Sequence, residues 1–398
     1  VAKGIFLNIP SSGHINPSLP VARELVAQGE DIVYVLTENY RSRVEATGAR
    51  FVPYPDIPIL HQLNQLATAG NIPQNAHMLV KVGEQLLPFM FDLMEQEKPD
   101  YLIYDSLAGW GLMTARKFPV PTIATFSTFM IHLRTPPPLS IRDTFKTVWQ
   151  LMGEIRGYLQ TRKRIQQKFG ITSIGLMEAV MAKADLNIVY TSREFQPQGH
   201  LFDDHTKFVG SIVAPRPKAN DFPYDFLDYD PLIYISLGTV NNLNLAFYQS
   251  CLETFRDFEG RFVMSIGQHV TIDELGDIPE NFLVMNHVPQ LDILKQADVF
   301  ITHGGLNSVH ESLLEGVPMI VIPQQVEQAI VARQVENFGA GFIADQSDPI
   351  TLISYMKKII DNTKQHQETA LRLGKTLEKS GGAKQAVKEI LVFTKKNQ

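Results

Sequence analysis

The chain has 398 residues, more than one average domain needs and about right for two of roughly 200. Hydrophobic residues make up 44% and charged residues 20%, which excludes extensive disorder, and a net charge of −6 argues against a dedicated nucleic-acid binder. One cysteine, Cys251, excludes an intramolecular disulfide framework and any Cys-rich metal site.

The chain begins with a strand pattern at residues 4–9 and an amphipathic helix at 15–28. Further strands are expected at 31–36, 101–104, 121–126 and 186–190, with helices at 75–96, 107–117 and 144–169. Residues 214–231, APRPKANDFPYDFLDYDP, carry four prolines in eighteen positions and no period, and read as a linker. The alternation then restarts. Strands are expected at 232–236, 261–266, 282–286, 299–302 and 319–322, and helices at 243–258, 306–314, 328–337 and 350–361. The pattern is α/β throughout. It gives two doubly wound domains, 1–213 and 232–361, facing a cleft, and a helical tail at 362–398 of the kind that packs back across a neighbouring domain. No apolar run reaches the roughly 18 residues that span a membrane, so no stable membrane insertion is expected. The first residues enter a strand directly, so no signal peptide is expected. Together with the single cysteine, this points to the cytoplasm.

Several polar residues fall where strands should end. His14, in PSSGHINP, is either a general base or a residue capping the helix start. Asp105 ends the strand pattern at 101–104. It is either the partner that orients His14 or an N-cap for the next helix. Ser11, Ser12, Ser106 and Ser127 stand at plausible strand ends. The chain has no G-x-S-x-G elbow, however, which ranks hydrolysis below transfer.

The segment 287–328 carries the densest signal: HVPQLDILKQADVFITHGGLNSVHESLLEGVPMIVIPQQVEQ. His303-Gly304-Gly305 forms a turn between a buried strand and a helix whose N-terminal N–H groups suit a diphosphate. Asn307, Ser308 and His303 add donors, and Glu311 suits a vicinal diol such as ribose. Gln324, Glu327 and Gln328, at the next strand end, suit sugar hydroxyls. Capping residues around a Gly-rich turn are the plainer reading of the same residues. Asp228-Tyr229-Asp230 reads as solvated linker, and the spacing of His303 and His310 is wrong for a helical zinc pair, so no metal is expected. The basic stretch 134–168 reads as a solvated helix face, with an anionic surface as the lesser alternative.

These motifs resemble those of the UDP-dependent glycosyltransferases of the GT-B fold, and most closely the bacterial macrolide and flavonoid enzymes. The resemblance runs from G-H-x-N-P at Gly13–Pro17 through V-P-Q at Val288–Gln290, H-G-G-x-N-S at His303–Ser308 and G-V-P at Gly316–Pro318 to P-Q-x-x-E-Q at Pro323–Gln328. It implies two Rossmann-like domains and an inverting transfer from a UDP-sugar, most often UDP-glucose, which is a co-substrate and not a cofactor. It implies His14 as the base and Asp105 as its partner. Val288 and Gln290 would meet the nucleoside, and Gly238, Thr239, His303, Gly305, Asn307 and Ser308 the diphosphate. Glu311 would meet the ribose, and Glu327 and Gln328 the sugar. His287 stands at the nucleobase position, where many relatives carry tryptophan. The implied acceptor is a small, hydroxylated, largely apolar molecule bound by loops near 56–75 and 126–146. The alternatives are a sugar-nucleotide epimerase that hydrolyses its donor and a non-catalytic nucleotide-sugar binder.

Overall fold

The computed structural model describes residues 1–61, 63, 72–132, 141–214, 221–238, 244–345 and 349–397. The chain divides into two compact units, Val1–Ala214 with Ser380–Gln398, and Pro215–Lys379. Each is a parallel sheet flanked by helices.

The first unit holds strands β1 Lys3–Leu7, β2 Asp31–Leu36, β3 Arg50–Pro53, β4 Tyr101–Asp105, β5 Thr122–Phe126, β6 Leu186–Val189 and β7 Thr206–Phe208, in the order 3-2-1-4-5-6-7. The second holds β8 Leu232–Ser236, β9 Arg261–Ser265, β10 Phe282–Met285, β11 Val299–Thr302, β12 Met319–Val321 and β13 Gly341–Ile343, in the order 10-9-8-11-12-13. Every pairing is parallel. The central strands are buried on both faces, which is why they read as unbroken apolar runs. Both sheets follow the doubly wound order. Each therefore reverses direction once, between β1 and β4 and between β8 and β11, and ligands favour the strand carboxyl ends at that point.

Three edge strands, β3, β7 and β13, escaped the sequence reading. They are three or four residues long and only partly buried, so no apolar run marks them. The tail divides differently from the expected boundary at 362. The helix Thr363–Lys379 belongs to the second unit, where Gly374 lies against the Leu313 backbone. The helix Gly382–Asn397 belongs to the first, where it buries Ala386, Val387 and Ile390 in the core. The Gly382 N–H donates to the Val209 carbonyl at 2.6 Å, and Lys207 pairs with Glu389 at 3.5 Å. The linker is also less open than its composition implies. Phe222 and Leu227 are buried, and the Tyr224 hydroxyl donates to Asp292 at 3.0 Å. Asp228, Tyr229 and Asp230 are exposed. No helix among the described residues is long and apolar enough to cross a membrane.

Candidate active site

In the first unit the carboxyl ends of β1 and β4 bring His14 and Asp105 together. β4 ends on Asp105, which is fully buried. Four residues separate the end of β1 from the helix Ser12–Ala27, which carries His14 in its first turn. The two side chains meet: His14 Nδ1 lies 2.8 Å from Asp105 Oδ2. The other carboxylate oxygen accepts the Leu107 N–H at 2.9 Å. Of the two roles weighed from sequence, the structure shows the pairing with His14: the next helix is Gly109–Ala115 with Ala108 at its N-cap, so the Leu107 bond closes the turn ahead of that helix and does not cap it. With Nδ1–H donating to the carboxylate, Nε2 is the nitrogen that accepts in the neutral form of the ring.

In the second unit the matching positions follow β8 and β11. Gly238 has φ +82°, a left-handed conformation that glycine adopts without strain. A Cβ there would lie 2.6 Å from the His303 ring, and one on Gly305 would lie 2.6 Å from His303 Nε2. The imidazole is thus held between two glycine backbones. The ring is partly buried, and its desolvation pushes the pKa down to about 4, so His303 is neutral near pH 7. The helix Leu306–Glu315 begins immediately after Gly305, with Asn307 and Ser308 in its first turn, both partly exposed.

Gln290 opens the helix Gln290–Leu294 and ties this region together. Its Nε2 donates to Glu311 Oε2 at 2.6 Å and to Ser308 Oγ at 3.3 Å, and its Oε1 accepts from the Tyr234 hydroxyl at 3.1 Å. Glu311 is a nearly buried carboxylate whose direction is set by that amide. Val288 is partly exposed and His287 exposed. Gln328 is buried, and its Oε1 accepts the Gln324 N–H at 2.8 Å. Glu327 lies in the first turn of the helix Val326–Phe338. Thr239 falls outside the described residues, as do much of the 56–75 loop and residues 133–140 of the 126–146 loop. Among the described residues, no group of three His, Cys, Asp or Glu side chains is arranged to hold a metal ion.

Sequence reasoning missed the support beneath these residues. Tyr234, on β8, holds Gln290. Asn8 and Tyr34 sit beneath His14 and are fully buried. Their signal was available, since each is a polar residue inside an apolar strand run.

A model of the C-terminal domain of erythromycin biosynthesis protein CIII-like proteins matches residues 249–389. The uncharacterised UDP-glucosyltransferase YojK of Bacillus subtilis is 33% identical over 99% of this chain and 98% of its own. The NDP-glycosyltransferase YjiC of the same organism is 32% identical over 98% and 97%. Among solved structures, the kitacinnamycin glycosyltransferase superposes with a TM-score of 0.82 at 28% identity, covering 98% of both chains.

Proposed function

The chain belongs to the glycosyltransferases of the GT-B fold, in the bacterial macrolide-type branch, and on that footing we propose an inverting, metal-independent hexosyltransferase. The donor is UDP-glucose. The acceptor is a hydroxyl of a small, largely apolar natural product such as a flavonoid, a phenol or a macrolide. The enzyme works in the cytoplasm and needs no cofactor.

The observation that carries the mechanism is the 2.8 Å contact between His14 and Asp105. Asp105 holds the ring with its proton on Nδ1. Nε2 takes the acceptor's proton as the acceptor oxygen bonds to the anomeric carbon. The bond from that carbon to the UDP oxygen breaks on the opposite face, and UDP departs with the electron pair. An α-linked donor therefore yields a β-glycoside. A base so placed is worth about 10²–10⁴-fold. In the second unit, the N-terminus of the helix Leu306–Glu315, the neutral His303 and the Gly238 and Gly305 backbones receive the diphosphate. Gln290 and Glu311 take the ribose, and Glu327 and Gln328 the sugar hydroxyls. His287 and Val288 face the nucleobase.

The test is an incubation with UDP-glucose, EDTA and a mixed panel of phenols, flavonoids and macrolides, read by mass spectrometry beside His14→Ala. The expected result is β-glucosides from the parent and loss of most transfer in the variant, with UDP affinity retained. Free glucose released at the same rate without any acceptor would refute transfer in favour of donor hydrolysis. Sensitivity to EDTA would refute metal independence.

A further inference from the structure

We infer that Asn8, Ser18 and Tyr34 form a buried positioning network that sets the backbone of His14, and through it the aim of the base. The inference rests on the reading of His14 as the base. It adds residues that touch neither substrate nor the reacting atoms.

The helix that carries His14 is built against its own hydrogen-bond ladder. Pro17 and Pro20 lie inside it, beyond the first turn where proline costs nothing. Neither supplies an N–H, so the backbone bonds that would tie residues 13 and 16 to the following turn do not form. A helix start weakened in this way is a poor platform for a side chain that must aim one nitrogen.

Side chains from the core hold the same turn. Asn8 Nδ2 donates to the Ser18 hydroxyl at 2.8 Å and the Tyr34 hydroxyl at 2.9 Å, and lies 3.3 Å from the His14 carbonyl. Ser18 donates to the Ile15 carbonyl at 2.8 Å and lies 2.7 Å from the Tyr34 hydroxyl. Asn8 Oδ1 accepts the Ile9 N–H at 2.8 Å, where the chain leaves β1. Tyr34 enters from β2, across from Phe6 in register and stacked on it at 4.8 Å. One connected set therefore links the exit of β1, the body of β2 and the two residues His14 and Ile15.

All three side chains are fully buried. Burial pushes the Tyr34 phenol well above its usual range, so it stays a neutral hydroxyl at any working pH. Around them the sheet is apolar. Valine, leucine and phenylalanine at these positions would fill the core without three buried polar groups to satisfy. Each group has found its partners, and the partners converge on the turn bearing the base. That convergence is what fixed geometry requires, because effective concentration falls steeply with small errors of aim.

The test uses Ser18→Ala and Tyr34→Phe, each removing one hydroxyl, singly and in the His14→Ala background. Turnover of a phenolic acceptor, UDP-glucose affinity and melting temperature are measured for each. We expect kcat to fall about 10- to 100-fold in the single variants, with UDP-glucose affinity within about twofold of the parent. In the His14→Ala background, the residual rate should not fall further, because a residue that acts through His14 has nothing left to aim. An equal fractional loss with and without His14 would overturn the proposal and make the network structural only. Unchanged kcat in both single variants would overturn it as well. If His14→Ala keeps most of its turnover, the failure lies with the base itself, and that arm identifies it separately.

Discussion

The substitution Asp105→Asn is the sharpest probe of the proposed chemistry, because it keeps the shape and removes the charge. Asp105 is fully buried, so water does not screen its loss. The substituted amide can keep the bond from Leu107 N–H, now 2.9 Å, only by turning its nitrogen toward His14 Nδ1, now 2.8 Å from Oδ2. The amide then donates where the carboxylate accepted. The ring must carry its proton on Nε2, which cannot take one from the acceptor. The flipped amide keeps the tautomer but sets its nitrogen against the Leu107 N–H and loses that bond, so one orientation costs the tautomer and the other a hydrogen bond. The charge also matters as the imidazolium forms. Two unit charges with centres roughly 4 Å apart, at an effective dielectric constant of about 20, interact by about 4 kcal/mol. That corresponds to about 10³-fold in rate. Initial rates at saturating UDP-glucose and acceptor should therefore fall about 10³-fold, while UDP-glucose affinity measured by calorimetry stays unchanged. A loss under tenfold, or one carried by donor affinity, would refute the pairing as the source of catalysis.

Other outcomes follow from the second unit. Gly238→Ala forces a Cβ to within 2.6 Å of the His303 ring at φ +82°, and should weaken UDP-glucose binding at least about tenfold by titration. Glu311→Gln removes the carboxylate that Gln290 orients at 2.6 Å. It should weaken UDP about 10- to 100-fold and 2′-deoxy-UDP less, and equal weakening of both would remove the ribose assignment. His310 is nearly fully buried, and burial holds its pKa down at about 3. The unfolded chain takes up that proton near pH 6.5, so acid favours unfolding. Stability contributed by the neutral ring is full above about pH 6.5 and is lost as pH falls toward 3, at up to about 1.4 kcal/mol per pH unit. Melting curves of His310→Asn should have a shallower slope across that window. UDP-glucose has no phosphate group titrating near neutrality, and His303 stays neutral down to about pH 4. Donor affinity should therefore show no step between about pH 5.5 and 8.5 that His303→Asn removes.

The doubly wound fold was legible because its central strands are buried on both faces and read as plain apolar runs. The pairing of His14 with Asp105 was legible for a related reason. Asp105 closes one such run, His14 stands in the first turn of the helix that follows another, and the strand order β1–β4 then brings the two together. What sequence left open was whether Asp105 caps a helix or holds the histidine; it holds the histidine, and the next helix starts too late, at Gly109, for Asp105 to cap it. The short edge strands were hidden because they bury too little to leave a pattern. The split of the tail was hidden because both of its helices are amphipathic and only their partners differ: Leu313 for one, the Val209 carbonyl for the other. The positioning network was visible as an anomaly. Asn8 in GIFLNIP and Tyr34 in DIVYVL interrupt apolar runs, and a polar residue there needs partners that one-dimensional reading cannot name.

On the proposed mechanism, the two units place their chemistry at the same point of the same strand order, yet they solve opposite electrostatic problems. The first must manage a charge that appears during the reaction. A buried carboxylate suits this, since it lowers the energy of an imidazolium that exists only while the acceptor's proton is held. The second must receive a diphosphate that is charged from the start and must release it afterwards. A permanent cation at His303 would bind the product UDP at least as strongly as the donor and slow its release. A neutral imidazole, held between Gly238 and Gly305, gives directed hydrogen bonding together with backbone N–H groups and a helix end. The glycines are thus required twice over. In the proposed binding mode they let the backbone approach the diphosphate, and they leave room for the ring whose desolvation keeps it neutral. On this argument the histidine of the second unit contributes geometry, and His303→Asn should leave the pH dependence of turnover between about pH 5.5 and 8.5 unchanged.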